Sequence, residues 1–88
     1  MSIETEIEDR YTSKLRVHFE LAELRAYACI EHLKKSGHDA DRVAAVFAIG
    51  EASGIRNFMR QRSRDIADVA ARMHALELYL DQIKYNTL

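Results

Sequence analysis

Proline and tryptophan are absent from this 88-residue chain, glycine occurs three times and cysteine once. Without proline, nothing in the chain forbids long helices, and collagen-like or loop-rich architectures are excluded. Cys29 has no second cysteine to pair with, so no intrachain disulfide can form, and its apolar neighbours mark it as a reduced, buried thiol. That favours a reducing compartment. An excess of charge is lacking too: 13 Lys and Arg face 14 Asp and Glu, and the formal net charge of -1 argues against a strongly basic nucleic-acid binder. The longest unbroken apolar run, Val43 to Ile49, falls far short of the roughly 20 residues needed to span a bilayer, so no membrane association is expected. The first nine residues are acidic where a secretory signal would be basic and then apolar, which points to a cytoplasmic location.

What the sequence has in quantity is alanine and charge. Hydrophobic residues make up 48% of the chain, but twelve of them are Ala, so the apolar volume available for a core is small. A chain of this size buries only about 60% of its unfolded surface. A lone monomer is therefore expected to be marginal and to gain from a partner.

Helix propensity is high almost everywhere, and the informative positions are the stops. One is strong. Lys34-Lys35-Ser36-Gly37 places cations in a last turn and a glycine at the left-handed capping position, after which Asp39 or Asp41 can cap the next helix. Upstream, Thr5-x-x-Glu8 fits a capping box, with Ser2 an earlier candidate. These signals predict a single helical domain: a helix over about 4–35, a turn over 36–40 and a helix over about 41–84, with the last few residues fraying.

Within the first helix, Leu15, Phe19, Ala22, Ala26, Cys29 and Leu33 recur at coiled-coil spacing. Val17, Leu21, Leu24 and Ala28 form a second apolar stripe on nearly the opposite side. One of these faces can be covered by the rest of the chain; the other needs something else. Beyond the turn, Ala45, Ala48, Ala52, Ile55, Met59, Arg62, Ile66, Val69, Met73, Leu76, Leu80 and Ile83 hold alternating spacings of three and four, with Arg62 the only polar member. The phase survives Gly50 and Gly54, which favours one long helix bent there over a break near Gly50-Gly54. The two glycines line up with Val43, Phe47 and Phe58 as a notch between aromatic rings, into which a helix or ring is expected to pack. Ala67, Ala71, Ala75 and Leu78 form a small-residue stripe behind the second helix, read either as another close contact or as a solvated face.

Few constellations carry chemistry. Arg56, Arg60 and Arg64 form a row of guanidinium forks suited to phosphate or carboxylate. Pairing within the assembly is favoured over a ligand, since a hairpin folded about His38 sets residues 56–64 beside about 12–20 and residues 67–72 beside about 4–9. Glu20 then falls near Arg56, with Glu8 and Asp9 just beyond Arg64. Arg62 points away from that row and interrupts the seam, where it acts as a register specifier, faces an internal anion, or snorkels to water. The four histidines lack the Glu-x-x-His order of a di-iron bundle, and His74-x-x-Glu77 is its reverse. No metal site, cofactor or catalytic residue is expected, and Gly50-x-x-x-Gly54 lacks the lysine of a phosphate-binding loop.

The fold expected is all-α: an antiparallel hairpin of two long helices, about 32 and 44 residues or roughly 48 and 66 Å, pairing into a homodimeric four-helix bundle or a higher homo-oligomer. Its expected role is a protein-interaction module, such as an adaptor, chaperone-like or regulatory subunit, and more plausibly not an enzyme. The interface positions are Val17, Leu21, Leu24, Ala28, Gly50, Gly54, Ala67 and Ala71. The alternative is a dimeric nucleic-acid or anion binder using Arg56, Arg60, Arg62 and Arg64.

Overall fold

A computed structural model of the chain describes residues 3–62 and 67–86, with side chains at 10, 13–61 and 67–83. The described residues are all helical apart from a two-residue turn at 37–38. They form α1 (Ile3–Ser36), α2 (Asp39–Arg62) and α3 (Ala67–Asn86).

Gly37 makes the first reversal. Its φ of +65° is the left-handed conformation that terminates α1, and its amide donates to the Leu33 carbonyl at 2.8 Å. The cap of α2 differs from expectation. The His38 carbonyl accepts the first helical amides, from Asp41 and Arg42 at 3.1 and 3.2 Å, while the Asp41 carboxylate accepts the Ser36 hydroxyl and lies 3.4 Å from His32 Nε2. Asp39 and Asp41 remain in the first turn, where negative charge suits the helix dipole. At the other end, α1 is already helical at Ile3, upstream of the Thr5 capping box, whose side chains lie outside the described residues along with Ser2.

α2 passes through Gly50 and Gly54 unbroken. The single helix expected over 41–84, however, is two. Arg25 of α1 meets Glu51 of α2 at 2.8 Å and His32 meets Asp41, so α1 and α2 are antiparallel. Arg16 meets Asp68, Glu23 meets Arg72, and Glu31 meets Tyr79, so α3 runs back alongside α1 in the same direction. α3 is therefore antiparallel to α2. A continuous 44-residue rod would measure roughly 66 Å, longer than the 54 Å greatest dimension of the molecule. Asp68 accordingly lies beside Arg16, not beside residues 4–9. The phase of the seam carries across 63–66 because each helix separately turns its apolar stripe toward α1.

The core confirms the stripes themselves. Phe19, Ala22, Ala26 and Leu33 of α1 are buried together with Ala45, Ala48, Ala52 and Met59 of α2 and Val69, Met73, Leu76 and Ile83 of α3. Ile30, absent from the expected seam, is fully buried, and Cys29 sits on the flank, half-buried, because the stripe advances by four residues from Ala26 instead of three. Alanines sit level with alanines. The register set by Arg25–Glu51 and His32–Asp41 places Ala22 near Ala52 and Ala26 near Ala48, and the backbones of α1 and α2 approach each other far more closely than either approaches α3.

Two clusters pin α3 to α1. The Arg72 guanidinium lies over the Phe19 ring, 5.4 Å from its centroid, and donates to Glu23 from Nε at 2.8 Å and from Nη2 at 2.5 Å, with Glu20 3.7 Å away. The Glu23 side chain is only 12% exposed, so this bidentate contact is sheltered from water. Further along, the Tyr79 hydroxyl donates to Glu31 and accepts from Lys34 Nζ at 2.9 Å, while its ring packs at 5.9 Å against that of Tyr27.

Truncating a buried residue should separate core from surface. Leu76→Ala is expected to cost about 2–5 kcal/mol in urea unfolding, whereas Leu24→Ala, on the exposed side of α1, should cost less than about 0.5 kcal/mol in a dilute sample.

Candidate interaction surface

All eight expected interface positions, Val17, Leu21, Leu24, Ala28, Gly50, Gly54, Ala67 and Ala71, are exposed in the single chain. They belong to three separate faces. Val17, Leu21 and Leu24, 56%, 49% and 65% exposed, lie on the back of α1, about 190° around the helix from its buried stripe. Ala67, Ala71 and Ala75 with Leu78 form the outer face of α3. The third face lies on α2.

There Val43, Phe47, Gly50, Gly54 and Phe58 fall within about 80° of one another at 3.6 residues per turn. Phe47 is 75% exposed, an unusual position for a phenyl ring. A groove of about 990 Å³ runs beside it, lined by Arg25 and Cys29 of α1 and by Val43, Val46, Phe47 and Gly50 of α2. A smaller hollow of about 400 Å³ continues past Gly54 to Leu15 and Phe58. The close packing expected at the two glycines is not supplied by the described residues: a Cβ added at Gly50 or at Gly54 would meet no atom within 4 Å.

The arginines divide into two groups. Arg16 holds Asp68 bidentately, at 2.5 and 3.3 Å, while Arg25 holds Glu51 and Arg72 holds Glu23. Arg56 and Arg60, which the sequence offered as a ligand row, make no ion pair among the described residues, and the Nε of Arg56 is buried without a hydrogen-bond partner. Glu20, the partner expected for Arg56, turns toward Arg72 instead. The Arg62 side chain, Arg64, and the side chains of Glu8 and Asp9 lie outside the described residues. Arg72, the hub of the α1–α3 contact, was not singled out in the sequence; its spacing of four from Asp68 was the one available signal.

Among the described residues no three His, Cys, Asp or Glu side chains converge as they would around a metal ion, and no helix is long and apolar enough to cross a membrane. Comparison of the chain with protein-family models, curated proteins and solved structures finds no match. The surface must therefore be read from its own chemistry.

Two carboxyl groups carry a pH signature. The hydrogen bond from Arg16 holds Asp68 below its ordinary range, and the hydrogen bond from Tyr79 does the same for Glu31, with Lys34 adding to it. Lowered folded values mean that these contacts contribute fully above the ordinary carboxylate range and are lost as the pH falls through the lowered values. The melting temperature should be nearly flat from about pH 7 to 5 and fall below about pH 4. Asp68→Asn combined with Glu31→Gln should make that acid fall shallower in a pH series of thermal melts. Both sites face solvent, so the effect is small and weakens further in high salt.

Proposed function

We propose that the chain is a protein-interaction module that works as an oligomer, in the manner of an adaptor, chaperone-like or regulatory subunit, with its apolar faces rather than a reactive group as the working parts. The observation that carries this reading is the open α2 face, where Phe47 and the glycine notch border an apolar groove that the described residues leave open. Contiguous exposed apolar surface of this kind is typical of association sites. The volume available for a core supports the same reading, since five of the thirteen buried apolar residues among those described are alanine. Sedimentation equilibrium at micromolar concentration should return about twice the 10.1 kDa chain mass or more. A cooperatively folded monomer would overturn the reading.

One observation favours a second role, that of an anion or nucleic-acid binder. Arg56 and Arg60 have no acidic partner among the described residues, whereas Arg16, Arg25 and Arg72 all do. If the row binds phosphates, reversing Arg56, Arg60 and Arg64 to Glu abolishes retention on immobilised DNA or RNA and leaves the melting temperature unchanged, and wild-type affinity falls steeply with salt as counterions are released. Absence of retention at about 0.15 M salt removes this role.

A further inference from the structure

The α2 face has a symmetry of its own. Along it the sequence runs Val43, Phe47, Gly50, Gly54, Phe58, and the positions pair about a midpoint between residues 50 and 51: Val43 with Phe58, and Phe47 with Gly54. A large group at one end of the stripe thus has a counterpart at the mirrored position of an antiparallel copy, and the ring that protrudes most, Phe47, has a notch. Charge is complementary by helical turn rather than by mirrored position, since the strict counterparts of Asp39 and Arg60 are residues 62 and 41. The first turn of α2 is acidic and its last turns are basic, so an antiparallel copy brings Asp39 near Arg60 and opposes the two helix dipoles. Asp39 and Arg60 are both exposed, and neither has an ion-pair partner among the described residues. Asp41, held by Ser36 and His32, is already engaged, and Glu51, nearest the midpoint, is neutralised by Arg25 of its own chain.

We infer that the occupant of the α2 face is a second copy of the same chain, packed with its α2 antiparallel about a two-fold axis at the level of Gly50 and Glu51, so that Phe47 of each copy seats in the Gly54 notch of the other. This rests on the oligomeric reading above and specifies its surface. A two-fold interface requires a self-complementary patch, and ring against notch together with acid against base meets that requirement. The glycines then have a reason. Each costs roughly 1 kcal/mol of helix stability relative to Ala, and no described residue stands where its Cβ would, whereas a ring crowding the helix backbone requires that space. The pairing leaves the Val17–Leu21–Leu24 stripe, on the far side of α1, open for a different partner.

The test uses the full chain. A Cβ added at Gly54 meets no described atom within 4 Å, so Gly54→Leu should keep or raise helicity while blocking the ring of the second copy. Sedimentation between about 10 and 500 µM, the range that resolves micromolar dissociation constants, should give a wild-type dimer and a Gly54→Leu monomer. Phe47→Ala in the Gly54→Leu background should regain the dimer by emptying the space that the introduced side chain invades. Leu24→Glu should leave the dimer intact. In a Cys29→Ala background, oxidation of an equimolar mixture of Val43→Cys and Phe58→Cys chains should give the mixed disulfide and not the two symmetric ones. A dimer that survives Gly54→Leu, dissociates on Leu24→Glu, or yields the 43–43 disulfide would overturn this pairing while leaving the oligomeric module standing. A wild-type monomer at the highest concentration would overturn both.

Discussion

The close approach of α1 and α2 is the constraint on which the rest of this molecule depends. Alanine faces alanine along the contact, Ala22 and Ala26 against Ala52 and Ala48, so the two backbones come together with little side-chain volume between them. Such a contact buries few methylene groups, and apolar burial is worth only about 25 cal/mol per Å². The larger residues that make up the deficit come from elsewhere: Phe19, Ile30 and Leu33 on α1, Met59 on α2, and Val69, Met73, Leu76 and Ile83 on α3. α3 folds back because the α1–α2 pair cannot close its own core.

The polar contacts follow from that arrangement. α3 stands further from α1, and the gap is bridged by long side chains, Arg16 to Asp68, Arg72 to Glu23 and Tyr79 to Glu31. Most of these are solvent-exposed and contribute modestly. Their larger consequence is orientation, because they fix α3 parallel to α1 at one register. The Arg72–Glu23 pair differs from the others: it is sheltered, bidentate and stacked on Phe19, and links the polar flank directly to the core.

One stripe of α1 serves both neighbours, so the remaining apolar surface is left over. The back of α1, the outside of α3 and the notch face of α2 point in three directions, and the three helices of one chain leave all of them exposed. Small domains have an unfavourable ratio of surface to volume. In this chain the surplus is patterned: it is gathered into stripes with helical periodicity, and on α2 it is arranged symmetrically about its own midpoint. Scattered exposed apolar residues need no explanation, whereas a continuous stripe beside a groove does.

Much of this was legible in the residues themselves. Helical class follows from absent proline and abundant Ala, Leu, Glu, Lys and Arg; the first turn follows from Gly37, which alone tolerates φ of +65° without strain; and the buried stripes of α2 and α3 follow from three-and-four spacing. These are local properties, set by backbone sterics and by the pitch of one helix. Helical periodicity, however, reports which face of a helix is buried and says nothing of which way the next helix runs. The seam from Ala45 to Ile83 keeps its phase in the sequence, and α3 nonetheless runs antiparallel to α2. Partner choice was decided in the same way. The expected hairpin offered Glu20 to Arg56, and Glu20 turns to Arg72 only because α3 lies against α1. Which charges remain free, and which glycines face open space, depend on distances between helices that the sequence does not encode locally. Only the folded chain sets those distances, because they are the outcome of packing three unequal helices around one stripe.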